Sequence, residues 1–325
     1  MRVALLVVTA LVLAGSPLHD ASASGLGQVP EARAVRICAA AGPYWPTMTL
    51  AVKGATAWVA CKEDGRIARI TLPGGRRTAT VRIGSPVTAV AVGLRSVWAL
   101  DSGSTLYRID PRTSRIVERI PTGASAAYNI WVGAGSVWVA DDQGARVIRV
   151  SPKTNRVRAR IPVGDGPADM VFAGGRAWVI THRDNAVYRL DLATNAARRL
   201  AVVDVANAAA ERLAFSRGGL WVTGRGVGLV ELDPETGAQR RSVEVDGTGI
   251  DIVAASGALW LPVRTLAVDQ SGLPTMTAVR RIAVDGTVTT VATAVGRVDV
   301  HGLVAAGGAV WLADNTNGFL YRIAT

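Results

Sequence analysis

The sequence repeats itself about every forty residues, and this periodicity limits the possible folds more than any other feature. Each copy contains a short apolar run with a tryptophan at its centre, such as SVWVA around Trp138. Successive tryptophans lie 40, 40, 40, 43, 39 and 51 residues apart, and they are Trp58, Trp98, Trp138, Trp178, Trp221, Trp260 and Trp311. A period of this length is typical of propeller blades, each of which buries its faces only against its neighbours.

The third copy shows what each unit contains. Segments rich in β-branched and apolar residues occupy positions 129–132, 137–140, 146–150 and 157–162, and turn residues such as Gly-Ala-Gly-Ser separate them. No segment after residue 23 carries a sustained apolar stripe with the period of a helix. We therefore predict an all-β fold, a seven-bladed β-propeller of four-stranded antiparallel blades that forms a single domain over residues 34–325.

The two ends of the repeat array predict how the ring closes. After Trp311 the sequence provides only one more strand, so the last copy lacks its outermost strand. An unassigned segment at positions 34–38 stands where an outer strand would stand before the first repeat. We expect this N-terminal strand to complete the C-terminal blade, which would pair an edge that otherwise stays open.

Both cysteines fall near this join. Cys38 ends the closing strand, and Cys61 follows the apolar run of the first blade. In an exported chain with an even cysteine count we expect a structural disulfide between them, with two buried free thiols as the alternative. Such a bridge would contribute about 3 kcal/mol in the chain-entropy model.

The N-terminus resembles an export signal. Arg2 precedes an apolar stretch at positions 3–14, and an A-x-A pattern ends at Ala23. We predict a signal peptide over residues 1–23, a short lead-in over 24–33, and a protein secreted into the extracytoplasmic space. No later stretch approaches the roughly 20 apolar residues that a membrane helix needs, so we expect no transmembrane segment.

The chain is strongly basic, and its charge admits two interpretations. Of its 325 residues 49% are hydrophobic, which suits a globular protein, and its net charge is +11. This charge could attract an anionic partner such as an envelope polymer or nucleic acid. We favour arginines on solvated strand faces instead, because many recur at equivalent repeat positions: Arg69, Arg108, Arg149, Arg189 and Arg322.

The repeated residues are expected to be scaffold, so function is sought where the copies differ. A tryptophan at one fixed place in every blade is most simply a residue that packs one blade on the next. Nine residues before each tryptophan, the inner strand begins at one mouth of the central channel. The residues there are Thr49, Ala89, Asn129, Asp169, Arg212, Asp251 and Gly302.

We predict a ligand site at this mouth, with a water-filled channel lined by polar residues as the alternative. Its candidate residues combine carboxylates, guanidinium and imidazole groups with aromatic rings: Tyr44, Trp45, Tyr128, Asn129, Asp169, His182, Arg183, Arg212, Asp251 and His301. Tyr44 and Trp45 could stack on sugar or peptide rings, with packing against the closing strand as the alternative. An enlarged loop at about 263–277 is expected to cap the mouth.

The repeats also resemble those of a known group of propellers. GSVWVADDQGARVIRVSPKTNRV and RSVWALDSGSTLYRIDPRTSRIV are similar to repeats of the YncE-like (YVTN) and virginiamycin B lyase-like families, in which a glycine turn, V-W-V/F and a later R-I-D-P-x-T recur. The resemblance covers the whole chain after residue 23, and it implies seven blades with a ligand funnel on one face.

The same resemblance implies an enzymatic alternative. Streptogramin lyases of this group use a magnesium ion with histidine and glutamate at the funnel, and their repeats commonly read W-F-T-E. The equivalent positions here hold other residues, namely Cys61, Asp101, Asp141, Thr181, Gly224, Pro262 or Val263, and Asp314.

Three functional hypotheses follow. The first is a monomeric binding module that takes a small molecule, glycan or protein partner at the mouth and requires no cofactor. The second is a divalent-metal-dependent carbon–oxygen lyase, with Mg or Ca at Asp169 and Asp251 and with His301 as catalytic base. The third is a cationic protein that binds an envelope polymer or, less expectedly, nucleic acid.

Overall fold

In the computed structural model, β-strands follow one another along the chain with only turns and loops between them, and the described residues form no helix. The structure describes residues 35–38, 48–72, 74–203, 209–264, 276–295, 300–314 and 318–325.

The first strand in the chain is β1 (Val35–Arg36). Blade 1 contains β2 (Met48–Lys53), β3 (Thr56–Cys61), β4 (Arg66–Thr71) and β5 (Arg76–Arg82). Blade 2 contains β6 (Val87–Gly93), β7 (Ser96–Asp101), β8 (Thr105–Ile109) and β9 (Ile116–Pro121).

The next three blades repeat this arrangement. Blade 3 contains β10 (Ala127–Gly133), β11 (Ser136–Asp141), β12 (Arg146–Ser151) and β13 (Arg156–Pro162). Blade 4 contains β14 (Pro167–Ala173), β15 (Arg176–Thr181), β16 (Ala186–Leu190) and β17 (Ala197–Val202). Blade 5 contains β18 (Ala209–Ser216), β19 (Gly219–Arg225), β20 (Leu229–Leu232) and β21 (Gln239–Val243).

The last two blades depart slightly from the pattern. In blade 6 the inner strand is split into β22 (Thr248–Gly249) and β23 (Val253–Ala255), followed by β24 (Ala258–Arg264), β25 (Met276–Ile282) and β26 (Val288–Val295). Blade 7 contains β27 (Val300–Ala306), β28 (Ala309–Asp314) and β29 (Phe319–Ala324). Both pieces of the split strand pair with β24, so together they take the place of the single inner strand of the other blades.

The predicted ring closure is confirmed. Strand β1 pairs with β29 in the antiparallel sense, with Val35 opposite Leu320, and so completes blade 7. The Ile37 N–H donates to the Gly318 carbonyl at 2.8 Å, which extends the join. A disulfide between Cys38 and Cys61, with Cα atoms 5.5 Å apart, ties the closing segment to blade 1.

Seven apolar clusters form the core, one at each blade interface. Trp138, for example, packs with Met170 and Val179 of blade 4, and Trp311 of blade 7 packs with Val59 of blade 1 and Ile37 of the closing segment. Every repeat tryptophan is at least 95% buried. Several indole N–H groups donate to the carbonyl five residues earlier, as Trp138 does to Gly133 at 3.0 Å. The repeat tryptophans therefore hold neighbouring blades together.

Four of the five repeat arginines, Arg69, Arg108, Arg149 and Arg322, lie over repeat tryptophans and not on solvated strand faces, so the interpretation was wrong for them, whereas Arg189 makes a partly exposed ion pair with Glu235. Arg149 is only 6% exposed, and its guanidinium carbon lies 5.0 Å from the centre of the Trp138 ring. Its Nη1 donates to the Leu192 carbonyl and to Asn195 Oδ1 of the next blade, both at 2.7 Å. Arg108 makes the same contacts one blade earlier, to the Pro152 carbonyl and Asn155. Arg108 and Arg149 join one blade to the next because Nη1 donates across the interface, while the flat guanidinium stacks on the tryptophan of its own blade.

Candidate functional site

The channel mouth is built by irregularities at the start of the inner strands. The register of β14 against β15 shifts between Pro167 and Asp169, and similar shifts occur in β6, β10, β18 and β27. In blade 6 the irregularity is the break between β22 and β23, which contains Asp251. Such a bulge leaves backbone N–H groups without a ladder partner, so nearby side chains can accept from them.

Asp169 uses both carboxylate oxygens to tie three blades together. Its Oδ1 accepts from the Met170 N–H at 2.7 Å and from the Trp131 indole N–H of blade 3 at 2.9 Å. Its Oδ2 accepts from the Leu213 N–H of blade 5 at 2.9 Å. The carboxylate thus accepts a backbone N–H group of the neighbouring inner strand, β18.

Asp251 repeats this arrangement two blades further on. Its Oδ1 accepts from the Ile252 N–H at 2.8 Å, and its Oδ2 accepts from the Leu303 N–H of blade 7 at 2.9 Å. Asn129, at the same position in blade 3, uses its side-chain oxygen only for its own neighbour Ile130. The two aspartates are therefore structural acceptors at the mouth as well as charged groups.

Arg212 lies between these two carboxylates. Its Nε is 4.0 Å from Asp251 Oδ1, and the two side chains are 17% and 19% exposed. Burial lowers the pKa of Arg212, but the charges of Asp251 and Asp169, followed by Tyr128 and Glu211, raise it further, so the net shift is upward. The guanidinium stays charged at the centre of the mouth.

The carboxyl group of Asp169 has a raised pKa. Burial raises its pKa to about 6, against the opposing effects of the Arg212 charge and the Leu213 N–H. The nearby charge of Asp251 adds to the rise. Asp169 is therefore a mouth group whose charge changes close to neutral pH.

Aromatic and charged groups border this buried centre. Tyr128 is 44% exposed, and its electrostatic interaction with the Arg212 guanidinium helps to raise the pKa of Arg212. Glu211 pairs with the exposed Arg225 at 2.8 Å. Trp131 was not selected from the sequence, although it is a tryptophan outside the repeat position and two residues after Asn129, which could have identified it.

His182 and Arg183 form a separate group at the junction of blades 3 and 4. Arg183 bridges Asp142 at 2.5 Å and Asp165 at 2.8 Å, and His182 Nε2 lies 3.5 Å from Asp142 Oδ1. Gly166 has φ +70°, and a Cβ there would lie 2.3 Å from the His182 ring, so glycine is required beside it. Among the described contacts, no hydrogen bond or ion pair joins this group to Arg212.

Several predicted residues lie outside what the structure describes. Tyr44 and Trp45 are among them, as are residues 265–275 of the enlarged loop. The backbone of His301 belongs to β27, directly before Gly302 at the irregular start of the strand, but its side chain lies outside the described part. The structure therefore brings together Tyr128, Asp169, Arg212 and Asp251.

The aspartates at the mouth do not fit a metal site as they stand. Each oxygen of Asp169 and Asp251 already accepts at least one N–H group. In the described part of the chain, no group of three or more histidine, cysteine, aspartate or glutamate residues could hold a metal ion. A search of the same residues for a helix long and apolar enough to cross a membrane also finds none.

Comparison with known proteins identifies the fold. No protein-family model and no curated protein sequence matches the chain. Virginiamycin B lyase from Staphylococcus aureus matches in structure with a TM-score of 0.73 and 14% identity, over 91% of this chain and 99% of that chain. A catalytically inactive histidine-to-alanine variant of that enzyme, with quinupristin, gives a TM-score of 0.70 and 14% identity, over 91% and 100% of the two chains.

A designed protein shares the architecture as well. The computationally designed Ika8 protein matches with a TM-score of 0.63 and 14% identity, over 86% of this chain and 83% of that chain. At 14% identity these matches show a shared fold. The role of the residues at the mouth has to be inferred from their own contacts. The chain is a seven-bladed β-propeller with the fold of virginiamycin B lyase.

Proposed function

We propose that this protein is a secreted, monomeric binding module that takes a small polar ligand at the channel mouth without transforming it. One observation carries the proposal: a charged Arg212 lies partly buried between Asp169 and Asp251, with the exposed Tyr128 beside it. Convergent polar groups bordered by an aromatic ring are typical of ligand sites, because they fix orientation while the ring supplies contact area. The Cys38–Cys61 disulfide supports export, since such bonds persist outside the cytosol.

The chemistry of the mouth suggests the ligand class. An exposed tyrosine ring can stack on a sugar or peptide ring, and Arg212, Asp251 and Glu211 offer both donors and acceptors. We infer that the ligand is a saccharide or a short peptide. The proposed binding uses no metal ion, which agrees with the engagement of both aspartates by backbone N–H groups.

Ligand-observed NMR with a defined panel of oligosaccharides and short peptides tests this proposal. We expect saturation transfer to at least one panel member with the parent protein and its loss in Tyr128→Ala. Arg95→Gln is the control, because Arg95 is exposed in the turn between β6 and β7, at the opposite end of the inner strand from the mouth. Equal signals from the parent and from Tyr128→Ala would place the site elsewhere.

A lyase is the second candidate, and the structural match to virginiamycin B lyase over 91% of the chain favours it. His301, at the irregular start of β27, is the candidate base, and Mg or Ca is the candidate ion. The test is incubation with quinupristin and magnesium, followed by chromatography, because the related enzyme has been crystallised with this compound. Conversion that His301→Ala abolishes would establish the lyase, whereas unchanged quinupristin and no magnesium-dependent thermal shift favour the binding module.

A further inference from the structure

The positive charge of this protein is concentrated on the outer strands of blades 1 to 4. Ten arginines on or next to β5, β9, β13 and β17 are exposed, and together they are named the basic belt: Arg76, Arg77, Arg82, Arg115, Arg119, Arg156, Arg158, Arg160, Arg198 and Arg199. The only carboxylate on these four strands is Glu118. Four consecutive blades therefore present an almost purely cationic rim.

The belt arginines are free to meet a partner. In the part of the chain that the structure describes, none of the ten lies within salt-bridge distance of a carboxylate. Arg77, Arg160 and Arg198 donate to backbone carbonyls, which fixes their direction and leaves their charge unneutralised. The repeat arginines under the tryptophans, by contrast, are already committed to blade contacts.

Protection of sheet edges does not account for this distribution. Charged residues and bulges on edge strands prevent strands of different molecules from pairing, and the outer strands of blades 1 to 6 all contain a bulge. Yet β26, the outer strand of blade 6, has the sequence VTTVATAV and carries no charge. In blade 5, Arg240 and Arg241 are paired with Glu231 and Asp233. Among the described outer strands, those of blades 1 to 4 therefore carry most of the exposed arginines without a carboxylate partner, and Arg36 on β1 is a single further case.

The mouth has the opposite character. Its described charged groups are mainly acidic, and they include Asp142, Asp165, Asp169, Glu211 and Asp251, with Arg183, Arg212 and Arg225 paired to them or lying between them. A polyanion would be repelled by these carboxylates and attracted by the belt. The two surfaces are thus suited to different partners.

We propose that the basic belt binds a linear polyanion of the extracytoplasmic space that carries repeated phosphate groups, and that the mouth stays free while it does so. Arginine suits this partner because its planar fork donates two hydrogen bonds to one phosphate. Strand β13 alone contributes Arg156, Arg158 and Arg160 within five residues of one exposed outer edge, so that one chain running along this edge can meet more than one of them. The disulfide favours an envelope polymer over intracellular nucleic acid.

Binding of long-chain inorganic polyphosphate, measured between about 50 and 200 mM salt, tests the proposal. The belt variant is Arg156→Gln/Arg158→Gln/Arg199→Gln, three exposed residues with no ion pair among the described contacts. The control removes the same charge from exposed residues that are not part of the belt, in Lys53→Gln/Arg95→Gln/Arg112→Gln. Thermal melting verifies that both variants fold like the parent.

We expect the belt variant to bind about ten-fold more weakly, with a log–log salt slope smaller by about two, while the control changes less than about three-fold. The proposal fails if the control loses as much affinity as the belt variant, if the belt variant binds like the parent, or if the parent shows no binding at low salt. A DNA duplex with equal phosphate content is the competing probe. Binding to DNA about ten-fold tighter than to polyphosphate would overturn the envelope polymer in favour of nucleic acid.

Discussion

At the scale of single residues, the same side-chain type serves different purposes at different depths. Arg149 is buried over Trp138 and joins blades 3 and 4, whereas Arg212 is partly buried at the mouth and keeps its charge between two aspartates. Asp169 is engaged on both oxygens, yet burial still raises its pKa to about 6. Asp169 therefore both holds neighbouring blades together and sets the charge at the mouth.

Asp169 predicts a specific pH dependence of stability. The pKa is raised to about 6 in the folded protein, compared with about 3.9 for an unfolded chain. Between those values the folded protein binds more protons, so the free energy of unfolding falls as pH rises, by about 3 kcal/mol in total. Urea unfolding at several pH values should show this fall in the parent and not in Asp169→Asn, which keeps a side-chain oxygen acceptor. An identical pH dependence in both proteins would contradict the assignment.

Arg149 predicts a large loss of stability on substitution. Arg149→Met keeps an apolar stem but leaves Ser136, Asn195 and the Leu192 carbonyl without their donor. We expect a loss on the order of 2–4 kcal/mol in urea unfolding, because buried acceptors become unsatisfied. The matched control is Arg189→Met at the equivalent place in blade 4, which loses a more exposed ion pair with Glu235 and should cost less than about 1 kcal/mol. Equal losses would mean that Arg149 acts only as an ordinary surface cation.

At the scale of elements, the ring depends on a very short closing strand. Strand β1 contributes only Val35 and Arg36 to its sheet, so the disulfide carries much of the attachment. The split inner strand of blade 6 and the bulges in its neighbours lie at the mouth, where Asp169 and Asp251 each accept an N–H group of the next inner strand. Regular elements build the scaffold, and departures from regularity build the site.

The disulfide gives a prediction at this scale. Cys38 and Cys61 are separated by 23 residues, so the chain-entropy model assigns the bridge about 3 kcal/mol. Cys38→Ser/Cys61→Ser should lower the free energy of unfolding by about that amount, and the parent should lose as much in reductant. Titration of the denatured, unreduced parent should find no reactive thiol. Two reactive thiols, or a double variant as stable as the parent, would contradict a bridge that closes the ring.

At the scale of the whole molecule, the fold could be predicted from the sequence because every blade has the same residue pattern. The spacing of the tryptophans predicted seven blades, and the missing outer strand after Trp311 predicted the closure that β1 provides. The arginines were misinterpreted because a cation at a regular strand position has the same pattern whether it faces water or lies over a tryptophan. Its partners are more than forty residues away, as Leu192 is from Arg149.

The candidate site was predictable in position and not in chemistry. Alignment on the tryptophans brought Asp169, Arg212 and Asp251 to one ring of positions, where the structure also has them. What each carboxylate accepts depends on bulges and on the next blade, and neither appears in the residue pattern. A metal pair at Asp169 and Asp251 was therefore conceivable from the sequence, but the hydrogen bonds of both carboxylates argue against it.

The ligand site at the channel mouth is tested by the dissociation constant of the panel member that binds best. It is measured for the parent, Tyr128→Ala, Arg212→Lys and Arg95→Gln. Arg212→Lys retains the charge but loses the planar fork of the guanidinium. We predict that both mouth variants bind at least about ten-fold more weakly, a loss of about 1.4 kcal/mol, and that Arg95→Gln binds like the parent. Undiminished binding by both mouth variants, or an equal loss in Arg95→Gln, would contradict a ligand site at the channel mouth.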